Sequence, residues 1–163
     1  LMVTPEREQY MVFTDPVLTG HDRVFYHSNS TAVFEGFKGV EDLEGLTISV
    51  VGGYSFTDDI KAFLGTDKAT VVFAADVEES LRWVFAGRVD CTIQDEVMTL
   101  HVLNNSHKWR RVVRMLETPL STYTWHMGLS RKSPVSGMVD DINAVLRKLD
   151  ENGTMARILG RMQ

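Results

Sequence analysis

The stretch "FAGRVDCTIQDEVMTL", Phe85 to Leu100, decides how this chain folds. Gly87 stops a helical pattern, Val89 to Ile93 form an apolar run rich in β-branched residues, and from Glu96 the helical pattern resumes. A helix, a tight stop, a buried strand and a second helix in so few residues are the unit from which α/β sheets are built. The strand ends in two carboxylates, Asp95 and Glu96, with no lysine or arginine beside them. Two readings follow: a solvated strand end, or an aspartate that waits for a cation supplied from outside the protein.

Working outward, the same alternation continues upstream. In "DVEESLRWVFAGR", Asp76 is an N-cap with Glu79 at the capping-box position, Leu81, Val84 and Phe85 are the apolar face, and Gly87 is the C-terminal stop. "ATVVFA" (Ala69 to Ala74) and "LTISVV" (Leu46 to Val51) are two more buried strands, the latter entering a turn at Gly52 and Gly53 before a short helix through Ile60 and Phe63. "FEGFKGVEDLEG" before it is loop with one helical turn. Strands joined in this way predict a mostly parallel sheet covered on both faces.

The two ends differ from this middle. "YMVF" (Tyr10 to Phe13) and "DRVFYH" (Asp22 to His27) are short strands around Pro16, and "STYTWHMGLS" (Ser121 to Ser130) is one more. Val139, Ile142, Leu146 and Leu149 fall at helical spacing from Ser136 to Leu149, "ENG" closes that helix, and "TMARILGRM" begins a shorter one. The expected organisation is one lobe made from residues 1–20 and 119–163 and a second made from 21–118.

Bulk properties narrow the class. With 163 residues, 44 % hydrophobic and 24 % charged, the chain is an ordinary globular one, and a net charge of −5 without a basic stripe argues against a nucleic-acid partner. Arg110, Arg111 and Arg114 are read as a solvated helix end or edge strand. No run reaches the ~18 apolar residues of a membrane span, and the first residues do not read as a signal peptide. Cys91, alone, has no intramolecular disulfide partner and sits in an apolar strand, so it is an inert thiol. The five histidines show no metal-ligand spacing, no nucleophile and base are paired, and neither a metal nor a cofactor is expected.

Taken in order, several motifs resemble the family-3 solute-binding proteins of bacterial ABC importers, the amino-acid-binding kind. They are "TPEREQYMVFTDP" (Thr4 to Pro16), "EDLEGLTISVVGG" (Glu41 to Gly53), "FAGRVDCTIQDE" (Phe85 to Glu96), "MGLSRKS" (Met127 to Ser133) and "INAVLRKLDENGTMARIL" (Ile142 to Leu159). The resemblance implies an α/β, two-lobed periplasmic-binding-protein-like fold of type II. On this reading the second lobe is complete and the first lacks its leading strand–helix units, as in an N-terminally truncated chain.

It also implies a set of ligand-binding residues. Arg7, which on its own is an exposed arginine after a turn, matches the arginine that grips the ligand's α-carboxylate, a task suited to a planar fork of donors. Asp95 matches the aspartate that receives the α-ammonium; a carboxylate at the carboxyl end of a strand in an open α/β sheet faces the crevice. Gly53, Tyr54 and Ser55 match the backbone and carboxylate site of the second lobe, with the following helix start offering N–H groups to an anion. Tyr54 stands where the family has a small hydroxyl residue, and Met2 where it has Ser or Thr five residues before the arginine. Trp83 and Trp125 are read as core or strand residues rather than ligand walls.

The function implied is binding of a small polar solute, an amino acid or related carboxylate, in an interlobe cleft for ABC-type uptake, with the permease as partner. The location implied is periplasmic, or extracellular and membrane-tethered. A sensor ectodomain of a membrane signalling protein is the alternative, and a dehydratase-like enzyme on the same scaffold a third. Self-association through the incomplete first lobe is a further expectation.

Overall fold

The computed structural model describes residues 1–159, and two compact units emerge: Leu1–Gly20 with Tyr123–Gln163, and His21–Thr122. The chain passes between them at Gly20/His21 and at Thr122/Tyr123, the second passage lying four residues beyond the 118/119 boundary expected from the sequence.

In the second unit the strands are β2 (Leu18–His27), β3 (Thr47–Val51), β4 (Thr70–Ala74), β5 (Cys91–Asp95), β6 (Val113–Met115) and β7 (Ser121–Trp125), where β2 and β7 each run on across a unit boundary. Their order is β4-β3-β5-β2-β6, with β7 also paired to β2. β3 is parallel to β4 and to β5, as the alternation predicts, but β2 is antiparallel to β5 and to β6. The sheet is therefore mixed rather than mostly parallel. Strand direction is fixed by which strands meet, and β2 meets β5 across a long stretch of intervening chain, where local pattern carries no information.

Alternation along the strands decides the two faces. Val24, Tyr26, Ile48, Val50, Cys91 and Ile93 face Ile60 and Phe63 of helix α2 (Asp58–Leu64), with Phe34 and Leu43 below. Phe25 and Val51 face Val77, Leu81 and Val84 of α3 (Val77–Phe85), together with Leu103 of α4 (Glu96–Asn104) and Trp109 of α5 (His107–Val112). Residues of this second face on β3 and β5 are also polar. Ser49 Oγ lies 2.6 Å from Ser80 Oγ, which lies 2.7 Å from Thr92 Oγ1, and Gln94 Nε2 donates to Thr92 Oγ1 at 2.9 Å. These buried hydroxyls satisfy one another and tie α3 to β3 and β5.

Caps act where the sequence places them. Asp76 accepts from the Glu79 N–H at 2.7 Å, although the Glu79 carboxylate reaches the N–H of Ala75 rather than that of the cap residue. Gly87 follows with φ of 66°, the left-handed conformation that a glycine adopts without strain.

The first unit holds α1 (Pro5–Glu8), a two-stranded sheet of β1 (Met11–Phe13) with β8 (Gly128–Ser130), then α6 (Val139–Glu151) and α7 (Thr154–Leu159). "STYTWHMGLS", expected as one strand, is two: β7 joins the large sheet and β8 the small one, broken at His126 and Met127. His126 Nδ1 lies 2.7 Å from the Thr14 carbonyl, and Thr14 Oγ1 accepts from the Met127 N–H at 3.1 Å, which turns the chain between the sheets. The helix expected from Ser136 begins as a 3-10 turn over Pro134–Met138 and becomes α-helical at Val139. The continuation of "TMARILGRM" past Leu159 lies outside the described residues.

Candidate ligand-binding site

Parallel strands β3 and β5 both end at the same edge of the sheet, Ile48 pairing with Cys91 and Ser49 with Thr92. The turn after β3 and the last residue of β5 are thereby brought side by side. This edge, the carboxyl end of parallel strands, is where ligands bind in open α/β sheets.

Asp95 stands there, 7 % exposed and the N-cap of α4, its Oδ1 accepting from the Met98 N–H at 2.7 Å. The sequence signal for this cap, an aspartate directly before a helical run, was present beside the ligand signal, and the two roles are compatible. Capping fixes the carboxylate's direction. Glu96, its neighbour, is an ion-pair partner: Arg23 Nε donates to Glu96 Oε2 at 2.5 Å. Arg23 Nη1 also donates to the carbonyls of Leu116 (3.2 Å) and Glu117, so this arginine fastens β2, α4 and the segment after β6 together. The cation for one of the two carboxylates thus comes from 73 residues away.

Gly53 has φ of 80°, and no atom lies within 4 Å of where a Cβ would stand, so backbone conformation rather than crowding calls for glycine. Tyr54 is 43 % exposed, Ser55 is half-buried, and the buried Phe56 anchors the turn in the core. The helix that follows begins with Asp58 and Asp59. An anion at that helix start meets two carboxylates in its first turn, which offsets the attraction of the open N–H groups.

In the first unit Thr4 caps α1, its Oγ1 accepting from the Arg7 N–H at 3.3 Å. Arg7 is half-buried, and its Nη1 donates to the main-chain carbonyl of Met2 at 2.9 Å. Met2 thereby orients the guanidinium through its backbone, which any side chain at that position would supply.

Sequence reasoning missed Asp22. It is 4 % exposed and is the cross-strand partner of Asp95 on β2. Ser121 Oγ donates to its Oδ2 at 2.6 Å. Burial pushes its carboxyl up to about 6, the Ser121 bond opposes this, nearby Asp95 and Asp59 add to it, and His21 draws it back. The only local hint was a charged residue opening the strand "DRVFYH".

Cys91 is fully buried, and desolvation pushes its thiol far above the usual range, in keeping with an inert core residue. Among the described residues no group of three or more His, Cys, Asp or Glu side chains is placed to hold a metal ion. No helix among them is long and apolar enough to cross a membrane.

The capped carboxylate and the glycine turn both stand at the carboxyl ends of the strands, where open α/β sheets bind ligands. The profile of the bacterial extracellular solute-binding proteins, family 3, matches residues 1–161, and the chain belongs to that family. Solved structures agree in fold. The GluR0 ligand-binding core in complex with L-glutamate superposes with a TM-score of 0.80 at 18 % identity, covering 99 % of this chain and 69 % of that one. A mutant of the arginine-binding protein ArgBP from T. maritima gives 0.76 at 20 % identity, covering 99 % and 66 %. AncCDT-1, an ancestral amino acid-binding protein and a precursor of cyclohexadienyl dehydratase, gives 0.75 at 19 % identity, covering 99 % and 65 %. The chain thus spans about two thirds of the length of these structures. No curated protein sequence matches it at a significant level.

Proposed function

We propose that this chain binds a small polar solute, an amino acid or a related carboxylate, as the solute receptor of an ABC-type importer. It works in the periplasm, or outside the cell on a membrane tether, and its macromolecular partner is the permease. The observation that carries this reading is Asp95, a buried carboxylate whose direction is fixed by the Met98 N–H, beside the Gly52–Ser55 turn, in a chain of this family. Asp95 takes the ligand's ammonium, and Arg7, steadied by the Met2 carbonyl, takes its carboxylate. Gly53 and Ser55 offer backbone and hydroxyl contacts, and the exposed ring of Tyr54 supplies apolar surface.

Magnitudes support a binding role that needs more than charge. Micromolar affinity takes about −8 kcal/mol, whereas two charge-assisted contacts supply roughly 1.5 to 3 kcal/mol each. Apolar contact such as that of Tyr54 contributes the rest. AncCDT-1, of similar fold, is likewise an amino acid-binding protein, and a precursor of cyclohexadienyl dehydratase. A sensor ectodomain of a membrane signalling protein, built on the same fold, is the second reading and would use the same residues.

Titration calorimetry with L-arginine, L-glutamine and L-glutamate tests the reading. A saturable heat with one of them, lost in Arg7→Ala and in Asp95→Ala, is expected; a binder that is indifferent to Arg7→Ala rejects it. Self-association through the half-exposed apolar side chains of the first unit, Val145 and Ile158 among them, is also part of the proposal. Sedimentation velocity showing a monomer at every concentration would remove that part.

A further inference from the structure

Among the described residues only two carboxylates are buried, Asp22 and Asp95, and they are direct cross-strand partners. Asp22 continues the face of Val24 and Tyr26, and Asp95 that of Cys91 and Ile93, so both side chains leave the sheet on the side of α2. Directly opposed residues on one face stand roughly 5 Å apart at Cβ, and like charges in that position repel. The neighbouring Arg23 points to the other face and is engaged by Glu96 and two carbonyls.

We infer that Asp22 is a specificity-determining residue of the proposed site, a second carboxylate that helps to hold a compact ammonium group and gives up a proton when that group arrives. The inference rests on Asp95 being the ammonium's partner. In the empty protein below about pH 6 Asp22 keeps its proton, because burial beside Asp95 makes its ionised form costly. When the cation enters, the O–H bond of Asp22 breaks, its proton passes to the buffer, and an N–H of the ammonium takes its place on the oxygen. Ser121 already donates to Oδ2 and so holds the carboxyl plane in one orientation through both states. The groups facing Asp22 are Asp95 on β5, Asp59 on α2 and His21 on its own strand, and the first two favour the protonated form. The site therefore selects a cation and discriminates against a ligand that brings only negative charge.

The first test needs no amino-acid ligand. The Asp22 carboxyl is followed by carbon-13 NMR against pH in sodium chloride and in methylammonium chloride at equal ionic strength, in the wild type and in Asp95→Asn, which retains an N-cap. Expected are a midpoint near 6 in sodium chloride, a lower one in methylammonium chloride, and a lower one in Asp95→Asn. A midpoint at the ordinary aspartate value, or one equal in the two salts, overturns the inference.

The second test uses whichever of L-arginine, L-glutamine or L-glutamate binds. Its affinity is expected to fall about tenfold from pH 7 to pH 5, with proton release at pH 5 seen as a buffer-dependent heat, and both effects vanish in Asp22→Asn. Unchanged proton release in that variant overturns the inference. If none of the three binds, the amino-acid reading fails for them, while the methylammonium titration still decides the role of Asp22.

Discussion

The two units are stabilised by different means. The second places aliphatic and aromatic side chains on both faces of a six-stranded sheet, with Val24, Leu43, Ile60, Leu81 and Ile93 fully buried. The first buries only Thr14 and Gly20 among its described residues, and α6 has no buried residue at all. Its apolar stripe of Val139, Ile142, Leu146 and Leu149 is half-buried, while Val145 lies exposed. In place of a core it has polar fasteners: Asn143 Oδ1 accepts from the Asp15 N–H at 2.7 Å, and Arg147 pairs with Asp15. A two-stranded sheet is marginal alone, and hydrogen bonds contribute modestly each. The contrast shows that a correct amphipathic pattern does not ensure burial; the pattern states which face is apolar, and only a partner surface covers it.

Truncating one side chain in each unit puts the contrast at greatest risk. Ile93→Ala is expected to lower the free energy of unfolding by about 3 to 4 kcal/mol in urea titration, and Leu146→Ala by no more than about 1 kcal/mol. Equal losses would show that the first unit has a core after all.

Asp22 provides the next largest effect, with a definite sign. Its folded pKa is about 6 against an unfolded value of 3.8. Below the lower value both states hold the proton. As pH rises from about 4 to about 6 the unfolded chain releases it first, so folded stability falls, and above about 6 it levels off. A difference of that size between the folded and unfolded chain corresponds to about 3 kcal/mol. Asp22→Asn is therefore expected to stabilise the protein at pH 8 by about 2 to 3 kcal/mol and to flatten the pH dependence, as measured by chemical denaturation at pH 4, 6 and 8. A variant less stable at pH 8 would mean that the carboxylate has a favourable partner there.

Smaller effects sharpen the comparison at its edges. Asp76→Ala removes the α3 cap in the second unit and is expected to cost about 1 kcal/mol. Arg147→Ala breaks the exposed pair with Asp15 in the first unit, where both side chains are at least 45 % accessible, and a change under about 0.5 kcal/mol is expected. Should the second exceed the first, surface charge contributes more to the first unit than its exposure allows.

Much of the second unit could be read from the amino-acid order alone. Strands β3, β4 and β5, the cap at Asp76 and the stop at Gly87 are local features, set by period, branching and backbone freedom within a few residues. Asp95 could be named as a candidate for the same reason, since it ends a strand in a recognisable motif. Asp22 was not. Nothing in "HDRVFYH" announces that its aspartate pairs with Asp95 on a distant strand, or that Ser121 donates to it. The break between β7 and β8 escaped for a related reason, since "STYTWHMGLS" has no turn signal strong enough to divide it and the bonds of His126 and Met127 to Thr14 do so.

By itself, then, the sequence determined the family, the alternation of strands and helices in the second unit, and the candidates Arg7, Asp95 and the Gly53 turn, because these depend on neighbours along the chain. Tertiary structure decided that β2 runs antiparallel beside β5, that Glu96 is neutralised by Arg23, and that Asp22 stands against Asp95. The physical reason is range: dihedral preference and periodicity act over one turn of helix or one strand, whereas charge and burial act between whatever residues the fold brings within a few ångströms.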